Sequence, residues 1–132
     1  MKPYIHSQSS AKFFGGKPED YFPIHQFFDQ TKSHIGNNTH RAILHSSFGI
    51  FLCEQVFGHS IKNSDGKLIS VRCVGEQHLV EDLGFIPTVC DYLENLEYQP
   101  WMSREDGCEL PSSQIGLKKG IDKRPKSSKI KR

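Results

Sequence analysis

Asn38-Thr39-His40-Arg41-Ala42-Ile43-Leu44-His45-Ser46-Ser47-Phe48-Gly49-Ile50-Phe51-Leu52-Cys53-Glu54-Gln55-Val56-Phe57-Gly58 reads as one long helix. Asn38 or Thr39 supplies the N-terminal cap, and Gly58 is a stop of the usual C-terminal kind. Its apolar residues occupy two flanks: Ile43, Leu44, Ile50, Phe51 and Phe57 on one, Phe48, Leu52 and Val56 on the other. A helix that is apolar almost all round belongs in a protein's interior. The expectation is therefore a mainly α domain packed around a central buried helix at about 39–57.

Upstream, residues 1–16 read as an extended entry and a turn, with Phe13-Phe14 before Gly15-Gly16. Pro18-Glu19-Asp20 opens a helix, since proline and acids favour the first turn. Pro23 suggests that its regular part begins only near Tyr21–Pro23. Ile24, Phe27, Phe28, Thr31 and Ile35 then fall on one stripe, with His25, Asp29 and Lys32 along its edge. Downstream, Asn63-Ser64-Asp65-Gly66-Lys67 is a polar turn with an Asp-Gly step between two β-prone runs, which predicts a hairpin at about 60–72. A short helix from Gly75 to Leu83 ends at Gly84, and Pro87-Thr88 starts another from Val89 to Leu96. Pro100-Trp101-Met102 reads as an anchor that packs back on the body. One globular domain over 1–102 follows, with a polar to basic, flexible tail over 103–132.

Charge divides along the same boundary. Residues 118–132 hold eight basic residues against Asp122 alone, while the rest of the chain has nine basic and fourteen acidic residues. Terminal charge runs are usually solvated, and contact of this tail with nucleic acid would be non-specific and salt-dependent. No aromatic residue lies within 118–132, so base stacking is not indicated. No apolar run approaches a membrane span, and the first residues lack a signal-peptide core, which points to the cytoplasm. Cys53, Cys73, Cys90 and Cys108 stand singly, against zinc-ribbon or thioredoxin-like chemistry; the first three, with apolar neighbours, read as buried reduced thiols.

All seven histidines lie between His6 and His78. His25/Asp29 and His78/Asp82 are each four residues apart, which on a helix puts both side chains on one face. Two such pairs, brought together, supply a nitrogen and oxygen site for zinc, manganese or iron. The central helix cannot chelate by itself. His40 and Glu54 would stand about 21 Å apart along it, and His40 and His45 would differ by roughly 140° in direction. His45 or His40 is thus a further ligand or a general base for a site built elsewhere. Lys32, Lys12 or Arg72 could hold an anionic group such as phosphate. Each His–Asp pair also reads as an ordinary helix-surface ion pair. Glu54, inside so apolar a helix, calls for a partner such as Arg72 or a histidine.

His6-Ser7-Gln8-Ser9-Ser10, Phe14-Gly15-Gly16, Pro18-Glu19-Asp20-Tyr21, Gly49-Ile50-Phe51-Leu52-Cys53-Glu54 and Asn63-Ser64-Asp65-Gly66 resemble a family of small uncharacterised bacterial and bacteriophage proteins. Gly75-Glu76-Gln77-His78, Glu81-Asp82-Leu83-Gly84, Ile86-Pro87 and Pro100-Trp101-Met102 extend the resemblance over about residues 4–102. It implies a prokaryotic or phage cytoplasm and carries no activity with it. Relatives often have a second histidine after His45, where this chain has Ser46, which weakens a site that needs both.

Two functions fit the sequence. One is a metal-binding protein, with hydrolysis of a phosphorylated or nucleotide substrate as the reaction it could carry and His25, Asp29, His78 and Asp82 as ligands. The other is a non-enzymatic phage accessory protein that binds a host protein or nucleic acid, aided by its basic tail.

Overall fold

A computed structural model describes residues 1–103. The order is α1 (Pro3–Phe14), α2 (Pro18–Asp29), α3 (Arg41–Leu44), α4 (Ser47–Phe57), β1 (Ser60–Lys62), β2 (Leu68–Ser70), α5 (Val71–Leu83) and α6 (Val89–Leu93). Short 3-10 turns at Gln30–Ser33 and Asn38–His40 link α2 to α3. The chain divides into a unit Met1–Asn95 and a second that begins at Leu96, in which Pro100–Met102 forms a 3-10 turn. The basic run 118–132, and with it the expected contact with nucleic acid or a host protein, lies outside the described residues. No described helix is long and apolar enough to cross a membrane.

The mainly helical class and the single antiparallel hairpin are as the sequence predicts. Tyr21, Ile24 and Phe28 of α2 pack with Ile50 and Cys53 of α4 and Val71, Val74 and Leu79 of α5. Gly75 lets the helices approach closely, since a β-carbon there would meet the Phe28 ring at 3.1 Å and Ile50 at 3.4 Å. The hairpin pairs Ser60 with Ser70, Ile61 with Ile69 and Lys62 with Leu68. Its loop is folded by Asn63, whose Oδ1 accepts from the backbone of Asp65 and Lys67. Asp20 and Asp65 then tie this loop to the start of α2: Asp20 accepts from the Ser64 hydroxyl and amide, and Asp65 from the Gly16 amide.

Four local expectations need correction. Residues 3–14 are a helix, not an extended entry. Proline at the first helical position suits that start, and Gly15, at φ +91°, ends it. Its buried face is His6, Ser7 and Ser10, so the sequence carries no apolar periodicity to mark this helix. Second, α2 begins at Pro18 and contains Pro23, whose missing N–H leaves only the carbonyl of the exposed Glu19 unserved.

Third, the helix expected over 39–57 is two helices broken at His45-Ser46. Ser46 is extended and restarts the helix as a cap, its hydroxyl accepting from the Gly49 amide at 3.2 Å. The break is held by Tyr92 of α6, which donates to the His45 carbonyl at 2.7 Å, and by the Ser47 amide, which donates to the Pro87 carbonyl. Gly49 makes it possible: a β-carbon at this position would overlap the Leu44 carbonyl oxygen. α4 is also buried on one side only, through Gly49, Ile50 and Cys53, while Phe48, Phe51 and Val56 are at least half exposed. Fourth, α5 starts at Val71 under a Ser70 cap, four residues earlier than expected, and Cys73 and Cys90 are exposed whereas Cys53 is buried.

Candidate metal centre

Four segments deliver the polar side chains to one place. The end of α2 brings His25 and Asp29, the α3–α4 break brings His45, and the second half of α5 brings His78, Glu81 and Asp82. α1 lays His6, Ser9 and Ser10 across them. His6, His25, His45 and His78 are each wholly buried. A polar interior of this kind persists only if its atoms are satisfied.

At the centre, Asp29, His45, His78 and Asp82 face one another. His45 Nε2 stands 3.1 Å from Asp82 Oδ2 and 3.5 Å from Asp29 Oδ1. His78 Nε2 stands 3.3 Å and 3.6 Å from the same two oxygens. Two donors bound to one ion at 2.0–2.1 Å and a tetrahedral angle stand about 3.3–3.4 Å apart, so these four separations are close to edges of a tetrahedral donor set; all four donor atoms lie within 4.8 Å of one another. Hydrogen bonding does not satisfy the group. His78 Nε2 and Asp29 Oδ2 are buried without a hydrogen-bond partner among the described residues.

His6, His25 and His78 form a second set of close donors, but their rings are not arranged to share an ion. The His25 and His78 Nδ1 atoms are 2.9 Å apart while the ring centres are 5.1 Å apart, so the rings meet end to end through a hydrogen bond. His6 stacks on His78, with ring centres 3.9 Å apart at 32°. Lone pairs lie in the ring planes, so stacked rings do not direct them to one point.

The hydrogen bonds around His78 follow one direction. With the Nε2 lone pair facing the centre, His78 Nδ1–H donates to His25 Nδ1, and His25 Nε2–H donates to the Ser10 hydroxyl at 2.7 Å. The Ser10 hydroxyl donates to Gln77, whose amide donates to Glu81 and to the His6 carbonyl. This assigns the tautomers from the network. It is also the outer support that metal-ligating histidines ordinarily have. Each nitrogen of His6 faces a carboxylate, Glu81 at 2.7 Å and Asp82 at 3.2 Å.

Electrostatics agree with the geometry. Burial pushes His25 down to about 2, helped by the charges of His78 and His6. Burial also lowers His45 and His40. At His78 burial works downward too, but the carboxylates of Asp29 and Asp82 facing it outweigh burial and raise the value. Burial would raise Asp82, yet its bonds with His45, His6 and His78 hold its carboxyl well below the usual range. Asp29 is lowered in the same way, chiefly by His78 against burial. The carboxylates thus favour the protonated ring of His78, and a metal bound there would compete with that proton.

Of the residues singled out in sequence, Asp29, His78 and Asp82 lie at the centre and His45 joins them. His25 lies behind His78 as its hydrogen-bond partner. His40 is buried, its Nδ1 2.9 Å from the Thr31 hydroxyl and its ring perpendicular to that of His45. Lys32 is exposed and lines a surface groove with Asp29, Gln30 and Ser33. Arg72 pairs with Glu76 at 3.7 Å in the exposed first turn of α5, about 9 Å along the helix from His78. Glu54 pairs with the exposed His59 at 3.3 Å. His6, Ser10, Arg41, Gln77 and Glu81 were not singled out. The cue for the first two is their spacing of four on a stretch opened by Pro3 and closed by Gly15.

Comparison with curated proteins and with solved structures returns no match. Residues 1–102, which include every donor described above, match the family model described as a domain of unknown function, DUF6915, and the chain belongs to that family.

Proposed function

We propose that this protein binds one divalent metal ion, zinc in the first place, through Asp29, His45, His78 and Asp82. One observation carries the reading: two buried histidine nitrogens each stand 3.1–3.6 Å from the same two carboxylate oxygens, and His78 and Asp29 have atoms that hydrogen bonds leave unserved. Nitrogen and carboxylate donors also suit manganese and iron. The ion joins α2, the α3–α4 break and α5, and its binding energy becomes folding energy. With four protein donors a four-coordinate ion has no open place for a water nucleophile, so the first role is to hold the fold.

The hydrolase reading is favoured by a different observation. Asp29, its side chain almost wholly buried, lines a surface groove beside Lys32, which would draw an anionic substrate to that face of the centre. A manganese or iron ion that accepts further ligands would then activate water, with His40 as the neighbouring base. A bacterial or phage origin and a cytoplasmic setting go with either reading and draw on the sequence resemblance. The accessory-protein alternative draws on the basic tail.

The test is metal analysis of the full chain, purified without a histidine tag, stripped, and reloaded with zinc, manganese or iron. About one ion per chain is expected, with His78→Ala and Asp29→Asn retaining almost none. His25→Ala should keep the site but weaken it about 10- to 100-fold. Trace metal in the parent protein, unchanged by His78→Ala, would refute the reading. Turnover of a phosphate ester only with manganese or iron bound would select the second role over the first.

A further inference from the structure

The outer side of α4 repeats the pattern of a buried helix face. Phe48, Phe51, Leu52, Gln55 and Val56 recur at intervals of three and four residues, which is the spacing of one helical stripe. Phe48 and Phe51 are 50% and 51% exposed and Val56 is 63% exposed, whereas Gly49, Ile50 and Cys53 of the same helix are buried. The two Phe rings lie nearly parallel, with centres 6.1 Å apart, and so form one continuous apolar surface. A surface stripe is ordinarily charged, yet residues 42–53 contain no Asp, Glu, Lys or Arg.

Single exposed apolar residues are common on a protein surface, but a contiguous stripe marks a place of contact. Two half-exposed Phe side chains leave about 200 Å² open. Val56, Leu52 and Gln55 bring the stripe to about 400 Å², the size above which an apolar patch calls for a partner.

We infer that this stripe is a self-association face, on which a second copy of the chain packs its own α4 about a two-fold axis. Charge favours that occupant. A charged face meeting its own copy brings like charges together, and an uncharged face carries no such penalty; a partner of opposite charge finds nothing here to pair with. Length favours it as well. The 11 residues of α4 span about 16 Å, so a second α4 laid antiparallel covers the stripe from end to end with the axis near Leu52. Phe48 of one copy then lies over Val56 of the other. Two facing stripes bury about 800 Å², and the rims that close around them bring the contact to about 1,000 Å², the lower limit for specific association. The dimer is therefore weak and reversible. No residue of α4 is a proposed metal ligand, so the inference stands apart from the metal reading.

The experiment is sedimentation of the full chain over a range of concentrations, at low and high salt. The mass should rise from one chain to two with a midpoint in the micromolar range, and salt should not weaken the association, because no ion pair holds the contact. Phe51→Glu and Phe51→Lys should each weaken it about 30-fold or more while metal content and circular dichroism stay those of the parent. Mixed in equal amounts, the two variants should pair again, since position 51 lies beside the axis and meets its own counterpart. Single chains at every concentration overturn the inference, and so does a dimer that salt dissolves or that ignores both substitutions. A mixture that fails to restore pairing overturns the two-fold geometry. A chain that stays single and melts lower with Phe51→Glu assigns the face to its own residues 104–132 and removes the second copy.

Discussion

The same two helices, α2 and α5, build both an apolar core and a polar one. Tyr21, Ile24 and Phe28 alternate along α2 with His25 and Asp29, and Val71 and Val74 of α5 give way to His78 and Asp82. The apolar part is complete in itself, since packing alone satisfies it. The polar part is not: its histidines and carboxylates balance only in part, and some buried atoms have no partner among the described residues. The ion proposed above would supply the partners that these groups lack and so stabilise the polar part. The apolar part should therefore answer to volume, and the polar part to metal and to protons.

Asp82→Asn should break the contrast most severely. It leaves His6, His45, His78 and Arg41 around a neutral amide, a loss of about 3–5 kcal/mol together with the ion, read by denaturant unfolding and metal analysis. Leu79→Ala, at a wholly buried apolar position, should cost about 2–5 kcal/mol. Its cost should be the same with and without a chelator, whereas a polar-side loss should shrink once metal is removed. A Leu79→Ala effect that depended on chelator would merge the two regions into one.

The pH response sharpens the contrast next. His25 has a folded value near 2 against an ordinary 6.5, so below pH 6.5 the unfolded chain takes up a proton that the folded chain refuses. Stability of the metal-free protein should then fall with decreasing pH, by about 1.4 kcal/mol per unit for this group alone. His45 and His40 shift in the same sense and add to the slope. His78 is opposite: its raised value gives stability that is present below 6.5 and is lost as pH rises through the folded value. Melting curves between about pH 6 and pH 4 should be flatter for His25→Gln than for the parent. Equal slopes would mean that His25 is not held neutral.

The smallest effect is chemical. Burial pushes the Cys53 thiol up to about 12, so alkylation at neutral pH should label Cys73 and Cys90 and spare Cys53 until the chain unfolds. Protection of Cys53 reports the apolar side alone. It should survive chelation at neutral pH.

Where the chain announced itself, it did so through apolar spacing or turn chemistry. The α2 stripe, the Asp65-Gly66 turn and the glycines at 58 and 84 are of this kind. The His78/Asp82 spacing was legible too, because four residues on one helix share a face whatever surrounds them. α1 was silent since its buried face is polar. His45 was harder to place for another reason. Its apolar neighbours predict one continuous helix, whereas the Ser46 cap, with the Leu44 carbonyl against Gly49, breaks the helix at that point and changes the direction of the chain. His25 was legible as part of a pair, but only its end-to-end bond to His78 shows that it supports the centre from behind.

That carbonyl against Gly49 also limits how the sequence can vary. Most interior positions tolerate a range of side chains of similar volume, but here even a methyl group would occupy the space of a backbone oxygen. Position 49 is consequently a point where the alphabet shrinks to one letter, four residues from the donor His45 and touching none of the chemistry.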